Sequence, residues 1–191
     1  MVVKNKYGDF NLMNRAVVLI DGGYFGNILG TDFDRPKIDF LKFSDAICGS
    51  DERLRMYYYT CMPYQSSPPT DDEKRRFSAA DKFVYTLRNL PRFDVRLGKL
   101  AHVGKEFVQK RVDILLAVDL VRMSWGRFIG TAILVTGDSD FVPAVEAAKD
   151  AGVLVRLFYS QSSIHDELRS AVDESFVITK ELIDSCKRDA S

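Results

Sequence analysis

Two aspartates, Asp138 and Asp140, follow an apolar run that ends in a glycine turn, in the stretch I-L-V-T-G-D-S-D-F-V-P at residues 133–143. Such a run is typical of a buried parallel strand, and ligands of open α/β sheets bind beyond the carboxyl ends of these strands. Two carboxylates one residue apart repel each other unless a cation lies between them. The stretch therefore predicts one side of a divalent-metal site.

Other aspartates occupy similar positions along the chain. Asp21 ends the apolar run R-A-V-V-L-I at residues 15–20, directly before Gly22. If the two strands are neighbours, Asp21 lies within a few ångströms of the Asp138/Asp140 pair. Asp113 begins a predicted helix, where the positive end of the helix dipole favours a carboxylate. Asp119 lies six residues further, about 600° around the helix, so we expect it on a neighbouring face.

The types of these residues indicate which metal would bind. Carboxylate oxygens are hard ligands that suit Mg²⁺ or Mn²⁺. Zinc is disfavoured, because His102 and His165 lie far apart in the sequence and no histidine and cysteine cluster exists.

Each acid also has a structural interpretation that spacing alone leaves open. Asp21 could bond turn amides, and Asp140 could cap the helix that Pro143 enters. Asp113 could likewise be a capping acid. Asp119 could pair with Arg122 or Arg127.

The rest of the pattern alternates short β-rich runs with helical periodicity, which predicts a parallel sheet with helices on both faces. We predict strands at 15–20, 54–61, 93–97, 131–135, 153–159 and 176–178, helices at 24–30, 38–48, 73–90, 112–123, 140–151, 164–171 and 179–187, a hairpin within 100–109, and a long loop at 62–72. The helix at 73–90 should bury an apolar stripe of Phe77, Ala80, Phe83, Val84 and Leu87. We predict that the helix at 112–123 is buried. We expect residues 1–14 to form an N-terminal leader and residues 15–188 to form a single domain.

Composition narrows the class of protein. With 191 residues, 46% of them hydrophobic and 28% charged, the chain has the composition of a globular protein with one substantial domain. No run approaches the roughly 20 apolar residues of a membrane span. Three widely spaced cysteines do not make a disulfide framework. We expect a cytoplasmic protein without a membrane partner.

The charges are unevenly distributed, although the formal net charge is zero. Residues 74–111 hold eleven Lys and Arg against three acids, a balance of +8, and residues 138–191 hold six bases against eleven acids, a balance of −5. This asymmetry is what a protein needs to hold a phosphate backbone beside a cation site, and it also fits two solvated helix faces.

Several segments resemble the NYN nucleases of the PIN-like superfamily, in their LabA-like branch. The matching segments are V-L-I-D-G-G-Y at 18–24, K-R-V-D-I-L-L-A-V-D at 110–119, L-V-T-G-D-S-D-F-V-P at 134–143, Gly152, and L-R-S-A-V-D-E-S-F-V at 168–177. The similarity runs from about Val17 to Ile178. It implies a three-layer α/β/α PIN-like (Rossmannoid) fold with a central, mainly parallel sheet, and an acidic cluster that binds Mg²⁺ or Mn²⁺ to hydrolyse RNA.

Carried over by position, the acidic site of the family falls on Asp21, Asp113, Asp138 and Asp140, which are the expected catalytic and metal-binding residues. Asp119 matches a secondary position, in the outer shell of the site. One departure is Tyr24, which stands where the family often has Asn and where we expect a contact to the substrate.

The leading hypothesis is a metal-dependent endoribonuclease. Expected substrate-binding residues are Arg75, Arg76, Lys105, Lys110, Arg111, Tyr24 and Ser139. The alternative is a non-catalytic RNA- or protein-binding module on the same scaffold, with a homodimer or a protein partner. A nucleotide cofactor is not expected, because the G-G-Y-F-G run at 22–26 lacks the G-x-G-x-x-G order.

Overall fold

A six-stranded sheet forms the centre of the molecule. A computed structural model of the chain describes residues 14–103, 106–110 and 112–188, and for residues 99–103 and 106–110 it describes the backbone alone. The strands of the sheet are β1 (Arg15–Asp21), β2 (Glu52–Thr60), β3 (Phe93–Leu97), β6 (Thr131–Val135), β7 (Leu154–Tyr159) and β8 (Glu174–Val177), and the separate hairpin consists of β4 (Lys99–Val103) and β5 (Glu106–Lys110). All neighbouring strands of the sheet run parallel.

Helices cover both faces of this sheet. They are α1 (Gly22–Thr31), α2 (Phe40–Cys48), α3 (Asp71–Arg88), α4 (Val112–Trp125), α5 (Val142–Asp150), α6 (Asp166–Ala171) and α7 (Lys180–Ser185). The side chains of β1 show why two layers form. Val18 and Ile20 pack with the core under α1, α2, α3 and α7, whereas Val17 and Leu19 pack with the core under α4, α5 and α6. The predicted three-layer α/β/α architecture is confirmed.

The order of the strands identifies one special point at the edge of the sheet. The order is β3-β2-β1-β6-β7-β8. The chain therefore winds outward from β1 in one direction and outward from β6 in the other, so the order reverses between these two strands. In open α/β sheets a ligand binds at such a switch point, beyond the carboxyl ends of the strands.

Two helices pack differently from the sequence-based prediction. Of its predicted stripe, α3 buries only Val84 and Leu87, while Phe83 is 39% exposed. This helix lies at the side of the sheet over β3, the terminal strand, so it has less sheet to cover. Only one face of α4 is buried, although its sequence is apolar on nearly every side.

No helix within the described ranges is long and apolar enough to cross a bilayer.

Candidate metal centre at the switch point

Strands β1 and β6 bring two of the predicted acids to the same edge of the sheet. They pair in parallel with Ile20 opposite Val135, so Asp21 and the turn that begins at Thr136 leave the sheet side by side. The Thr136 hydroxyl donates a hydrogen bond to Asp21 Oδ2 at 3.4 Å and accepts one from the Asp138 amide at 3.4 Å. Thr136 thus links the two acid-bearing turns.

Asp21 is held in place from the helix that follows it. It is the N-cap of α1, and its Oδ1 accepts the Tyr24 amide at 3.1 Å. Gly22 must be glycine, because a Cβ there would overlap the Tyr58 ring and the Tyr59 carbonyl oxygen. Burial raises the pKa of Asp21 against these hydrogen bonds, and the negative charge of Asp113 raises it further.

Asp140 lies in one turn of 3-10 helix, Ser139–Phe141, that leads into α5, and Asp138 directly precedes this turn. From the sequence, Asp140 was a candidate cap for the helix that Pro143 enters, and the structure differs from that interpretation. Asp138 is the residue that caps the turn, since its Oδ1 accepts the Asp140 amide at 3.0 Å. Asp140 itself is exposed in the middle of this turn. Asp140 therefore has a carboxylate that capping does not explain.

Asp113 reaches the same edge from the other direction. Helix α4 leads into β6, so it ends near the amino end of that strand and begins near the carboxyl ends, with Asp113 in its first turn. Partial burial removes water from Asp113 and raises its pKa. The negative charges of Asp138 and Asp140 raise this pKa further. The four acids are thus coupled electrostatically, Asp21 to Asp113 and Asp113 to the other two.

The donor atoms of this arrangement suit a hard cation, although the four side chains do not enclose one. All donors are carboxylate oxygens, and their mutual repulsion is what a divalent ion would relieve. Within the described residues no three acidic, histidine or cysteine side chains converge closely enough to hold a metal. Asp113 and Asp140 are exposed, so rotation of their side chains is sterically open. Ser139 lies half-buried between Asp138 and Asp140.

Asp119 has a different set of partners. It is 8% exposed, its Oδ2 accepts the Tyr59 hydroxyl at 3.1 Å, and Arg96 Nε lies 3.2 Å from the same oxygen. Its Oδ1 accepts a hydrogen bond from Arg122 at 3.0 Å, the pairing foreseen as its structural role. Each oxygen therefore lies against a cationic side chain, Arg96 of β3 for Oδ2 and Arg122 of α4 for Oδ1. The Tyr59 and Arg96 contacts span 60 and 23 residues, and no local sequence signal indicates them.

A second network, which the sequence did not reveal, surrounds Tyr24. Its hydroxyl donates to the Ser163 carbonyl at 2.7 Å and accepts from the Ser160 amide at 2.9 Å. Its ring lies against Gly137, where a Cβ would come within 2.5 Å of Tyr24 Cε2. Burial, opposed by the Ser160 amide, raises the pKa of Tyr24 to about 12, so the hydroxyl stays protonated at neutral pH. Tyr24 thus connects the Asp21 turn with the loop after β7 and the residue before Asp138.

Asp32 ties the same loop to the end of α1. Its Oδ2 accepts hydrogen bonds from the Ser160 hydroxyl and from the Ser162 hydroxyl, the latter at 2.6 Å. These hydroxyls lower the pKa of Asp32. The His165 amide then bonds to the Gly137 carbonyl at 3.1 Å. The loop at 160–165 is therefore anchored on both sides of the acid-bearing turn.

The predicted basic residues have mixed outcomes. Helix α3 follows β2, so its first turns lie at the carboxyl edge of the sheet, and Arg75 and Arg76 are exposed there. Both pair with Asp72, at 3.2 and 2.9 Å, which reduces the positive potential expected from the +8 segment. The register of the hairpin sets Lys110 opposite Lys99, and Lys110 precedes α4 by two residues. Lys105 and Arg111 lie outside the described residues.

The comparisons with known proteins agree with this architecture. A crystal structure of a protein of unknown function from Vibrio parahaemolyticus RIMD 2210633 superposes with a TM-score of 0.68 at 17% identity, over 93% of this chain and 98% of that chain. At such identity the likeness concerns the fold alone. No curated protein gives a significant match. The family model of the NYN domain matches residues 15–181, and the NYN domain has a PIN-like fold. Because that match spans most of the chain, the protein belongs to the NYN domain family.

Proposed function

We propose that this protein is a divalent-metal-dependent endoribonuclease of the LabA-like branch, which hydrolyses RNA phosphodiester bonds at the switch point between β1 and β6. NYN domains are generally nucleases, which supports the reaction class. The proposed ligands of Mg²⁺ or Mn²⁺ are Asp21, Asp113, Asp138 and Asp140.

The observation that carries the proposal is the electrostatic coupling of these four carboxylates. They come from three separate elements, and the charges of neighbouring acids raise the pKa values of both Asp21 and Asp113 beyond the effect of burial. Uncompensated like charges at a ligand-binding edge cost stability, and proteins keep them where a cation or a substrate requires them. Asp119 is left out of the proposed ligand set, because Arg96 and Arg122 already compensate its charge.

The residues around the cluster would orient its carboxylates. When bound, Mg²⁺ or Mn²⁺ supplies Lewis acidity, which activates a water and stabilises the charge that builds on the phosphate. The Tyr24 amide and the Thr136 hydroxyl hold Asp21, and the Asp140 amide holds one oxygen of Asp138. Ser139 is proposed to donate a hydrogen bond to the substrate phosphate.

The proposed path of the RNA backbone runs over the basic residues at the same edge. Lys110 ends β5, on the hairpin side of this edge. Lys105 and Arg111 are proposed as further contacts on their charge alone. Arg75 and Arg76 would approach from the first turns of α3, where exchange of Asp72 for a phosphate costs little since surface ion pairs are weak. The ring of Tyr24, rather than its engaged hydroxyl, is the part left to touch a nucleotide.

The test of the proposed reaction is cleavage of RNA by wild type and by Asp138→Asn in Mn²⁺ or Mg²⁺. We expect the variant to lose more in rate than the roughly 10–100-fold that loss of an outer-shell partner costs, because Asp138 is proposed to bind the metal directly. Asp150→Asn is the matched control, because Asp150 is exposed at the far end of α5 and should leave the rate unchanged. Equal cleavage by wild type and Asp138→Asn would refute the assignment.

A second candidate is a non-catalytic module that binds RNA or a protein. It is favoured by the observation that no three ligands converge within the described residues. A binding module should retain its RNA affinity when Asp138 becomes Asn and should show no metal-dependent cleavage, so the same pair of proteins separates the two functions.

A further inference from the structure

A groove between α1 and α3 has an aromatic wall that is partly exposed. Its volume is about 390 Å³, which is within the range of small-molecule sites. Phe83 of α3, which is 39% exposed, lines the groove, and its ring centroid lies 5.9 Å from that of Phe40 and 5.6 Å from that of Tyr58. A smaller cavity of about 190 Å³ adjoins the groove and shares Ile38, Phe40, Phe83 and Arg188 with it. The exposed Phe83 is therefore part of a concave apolar surface.

The helix on one side of the groove has a glycine at a position where packing does not require one. Gly26 lies in the middle of α1 and lines the groove, and a Cβ added there would meet no atom within 4 Å. A glycine inside a helix is less favourable than an alanine. Gly26 therefore widens the groove although it weakens the helix, and the space beside it is open to a bound molecule.

Two cationic side chains lie side by side at the rim of the groove. The bridge of Ile38 with Lys187 is antiparallel, and the Arg188 amide donates a hydrogen bond to the Lys37 carbonyl at 2.8 Å. This register sets Lys37 directly opposite Arg188, and both residues line the groove. Neither forms an ion pair with any residue that the structure describes. Like charges directly opposite each other repel, so an anion between these two side chains would be stabilising.

The acids that lie near this pair along the chain have other roles. Asp39 caps α2, and its Oδ1 accepts two amides of the first turn of that helix, at 3.0 and 3.1 Å. Asp184 pairs with Lys187 at 2.6 Å. The neighbours at 34–35, an aspartate and an arginine, add no net charge. Asp189 lies outside the described residues, and the test below therefore includes it.

We infer that this groove is a binding site for a small anion with an aromatic body. A flat apolar body packs on the faces and edges of the aromatic wall. A phosphate or carboxylate at the rim accepts hydrogen bonds from Lys37 and from the planar guanidinium of Arg188. A neutral aromatic molecule would leave the repulsion of the cations in place, and a small inorganic anion would leave the wall in water. The inference does not rest on the proposed nuclease activity.

The test is isothermal titration calorimetry of the full chain with naphthyl phosphate, in EDTA so that no divalent ion can bind the phosphate. Naphthol and inorganic phosphate are the matched probes, because each lacks one half of the ligand. We expect naphthyl phosphate to bind at least about tenfold more tightly than either, which is the ratio for one hydrogen bond to a charged group.

Substitutions locate the site. Gly26→Leu should weaken binding at least about tenfold, because leucine fills the groove, while the helix is stabilised. Gly26→Ala is its matched control, because alanine leaves most of the space open. Arg188→Gln and Phe83→Ala should each weaken binding about tenfold. Arg127→Gln should have no effect, because it removes the same charge from an exposed position beyond α4, on the other face of the sheet.

Several outcomes would overturn the inference. Naphthyl phosphate that does not bind wild type, or binds no more tightly than naphthol, would do so. Binding that survives both Gly26→Leu and Arg188→Gln would place the probe elsewhere. Asp189→Asn should change the Kd less than about fivefold, the range for an exposed charge, and tighter binding than that would show that Asp189 already neutralises the cations. Competition by AMP and by naphthoate distinguishes nucleotides from aromatic carboxylates as the source; displacement by either supports the inference, and displacement by neither would overturn it.

Discussion

Removal of one oxygen atom from Tyr24 should loosen the whole edge of the sheet that carries the acids. Tyr24→Phe keeps the ring against Gly137 and deletes only the hydroxyl. That hydroxyl accepts the Ser160 amide at 2.9 Å and donates to the Ser163 carbonyl at 2.7 Å. A phenylalanine ring offers neither group a partner, so both backbone groups lose their hydrogen bonds in a half-buried position.

The size of the effect follows from these two bonds. An intramolecular hydrogen bond contributes about 1 kcal/mol net, and a buried amide left without a partner costs about 1–3 kcal/mol. Because the site is only half-buried, water can reach part of it, and we expect a loss of about 2 kcal/mol in the free energy of unfolding. For a chain of this length that corresponds to a fall in Tm of about 4–8 °C.

The measurement is urea unfolding of wild type, Tyr24→Phe and Tyr85→Phe. The last is a matched control, because the Tyr85 side chain is 70% exposed and its loss of a hydroxyl should change stability by less than about 0.5 kcal/mol. The Mn²⁺ affinity of Tyr24→Phe should also fall, since the loop at 160–165, which bonds to Gly137 next to Asp138, loses its brace. A Tyr24→Phe protein as stable as the Tyr85→Phe control would refute the bracing role.

Three further predictions concern the other contacts of the site. Asp119→Ala should cost about 2–4 kcal/mol, because it leaves the Tyr59 hydroxyl without a partner and leaves the half-buried Arg96 only its longer contact with Asp94. Arg122→Ala should cost at most about 1 kcal/mol in the same chemical denaturation. Asp32→Asn should be less stable than wild type at neutral pH. Because the pKa of Asp32 is lower in the folded protein, the Asp32 carboxylate stabilises the fold fully above the unfolded pKa of 3.8, and this stabilisation is lost as pH falls through the folded pKa. The unfolding curves of the two proteins should therefore converge in acid. Mn²⁺ at about 100 times its Kd should stabilise wild type by about 2.7 kcal/mol in thermal unfolding, EDTA should reverse this, and Asp138→Asn should not respond.

Elements with a strong local signal could be predicted from the sequence. The strand at 131–135 and the strand at 93–97 have the predicted bounds, because apolar and β-branched runs between turns have one stable arrangement in a buried sheet. The start of α5 was harder to predict. Both Asp138 and Asp140 can cap a helix, and only the backbone of the 3-10 turn shows that Asp138 does so.

Features that depend on distant contacts could not be predicted. The bonds of Tyr24 and Asp32 to the loop after β7 span 128 to 139 residues, and polar side chains carry no periodicity that would pair them. The prediction of which α3 side chains are buried was wrong for a related reason. Its apolar spacing is helical, but position over a terminal strand leaves Phe83 uncovered, and topology rather than spacing sets that position.

The same limit applies to the charge of the segment at 74–111. Counted along the chain it is +8, yet the count begins just after three acids, Asp71, Asp72 and Glu73, in the first turn of α3. In the folded helix Asp72 pairs with Arg75 and Arg76. Electrostatic arguments from sequence therefore depend on where the counted window begins.

The most direct test of the metal-centre proposal is anomalous diffraction from crystals soaked in Mn²⁺. We predict an anomalous difference peak at the edge between β1 and β6, within coordination distance of Asp21 and Asp138 and approached by Asp113 and Asp140, that is missing from crystals of Asp138→Asn. A soaked crystal with well-ordered carboxylates and no peak at that position would contradict the account.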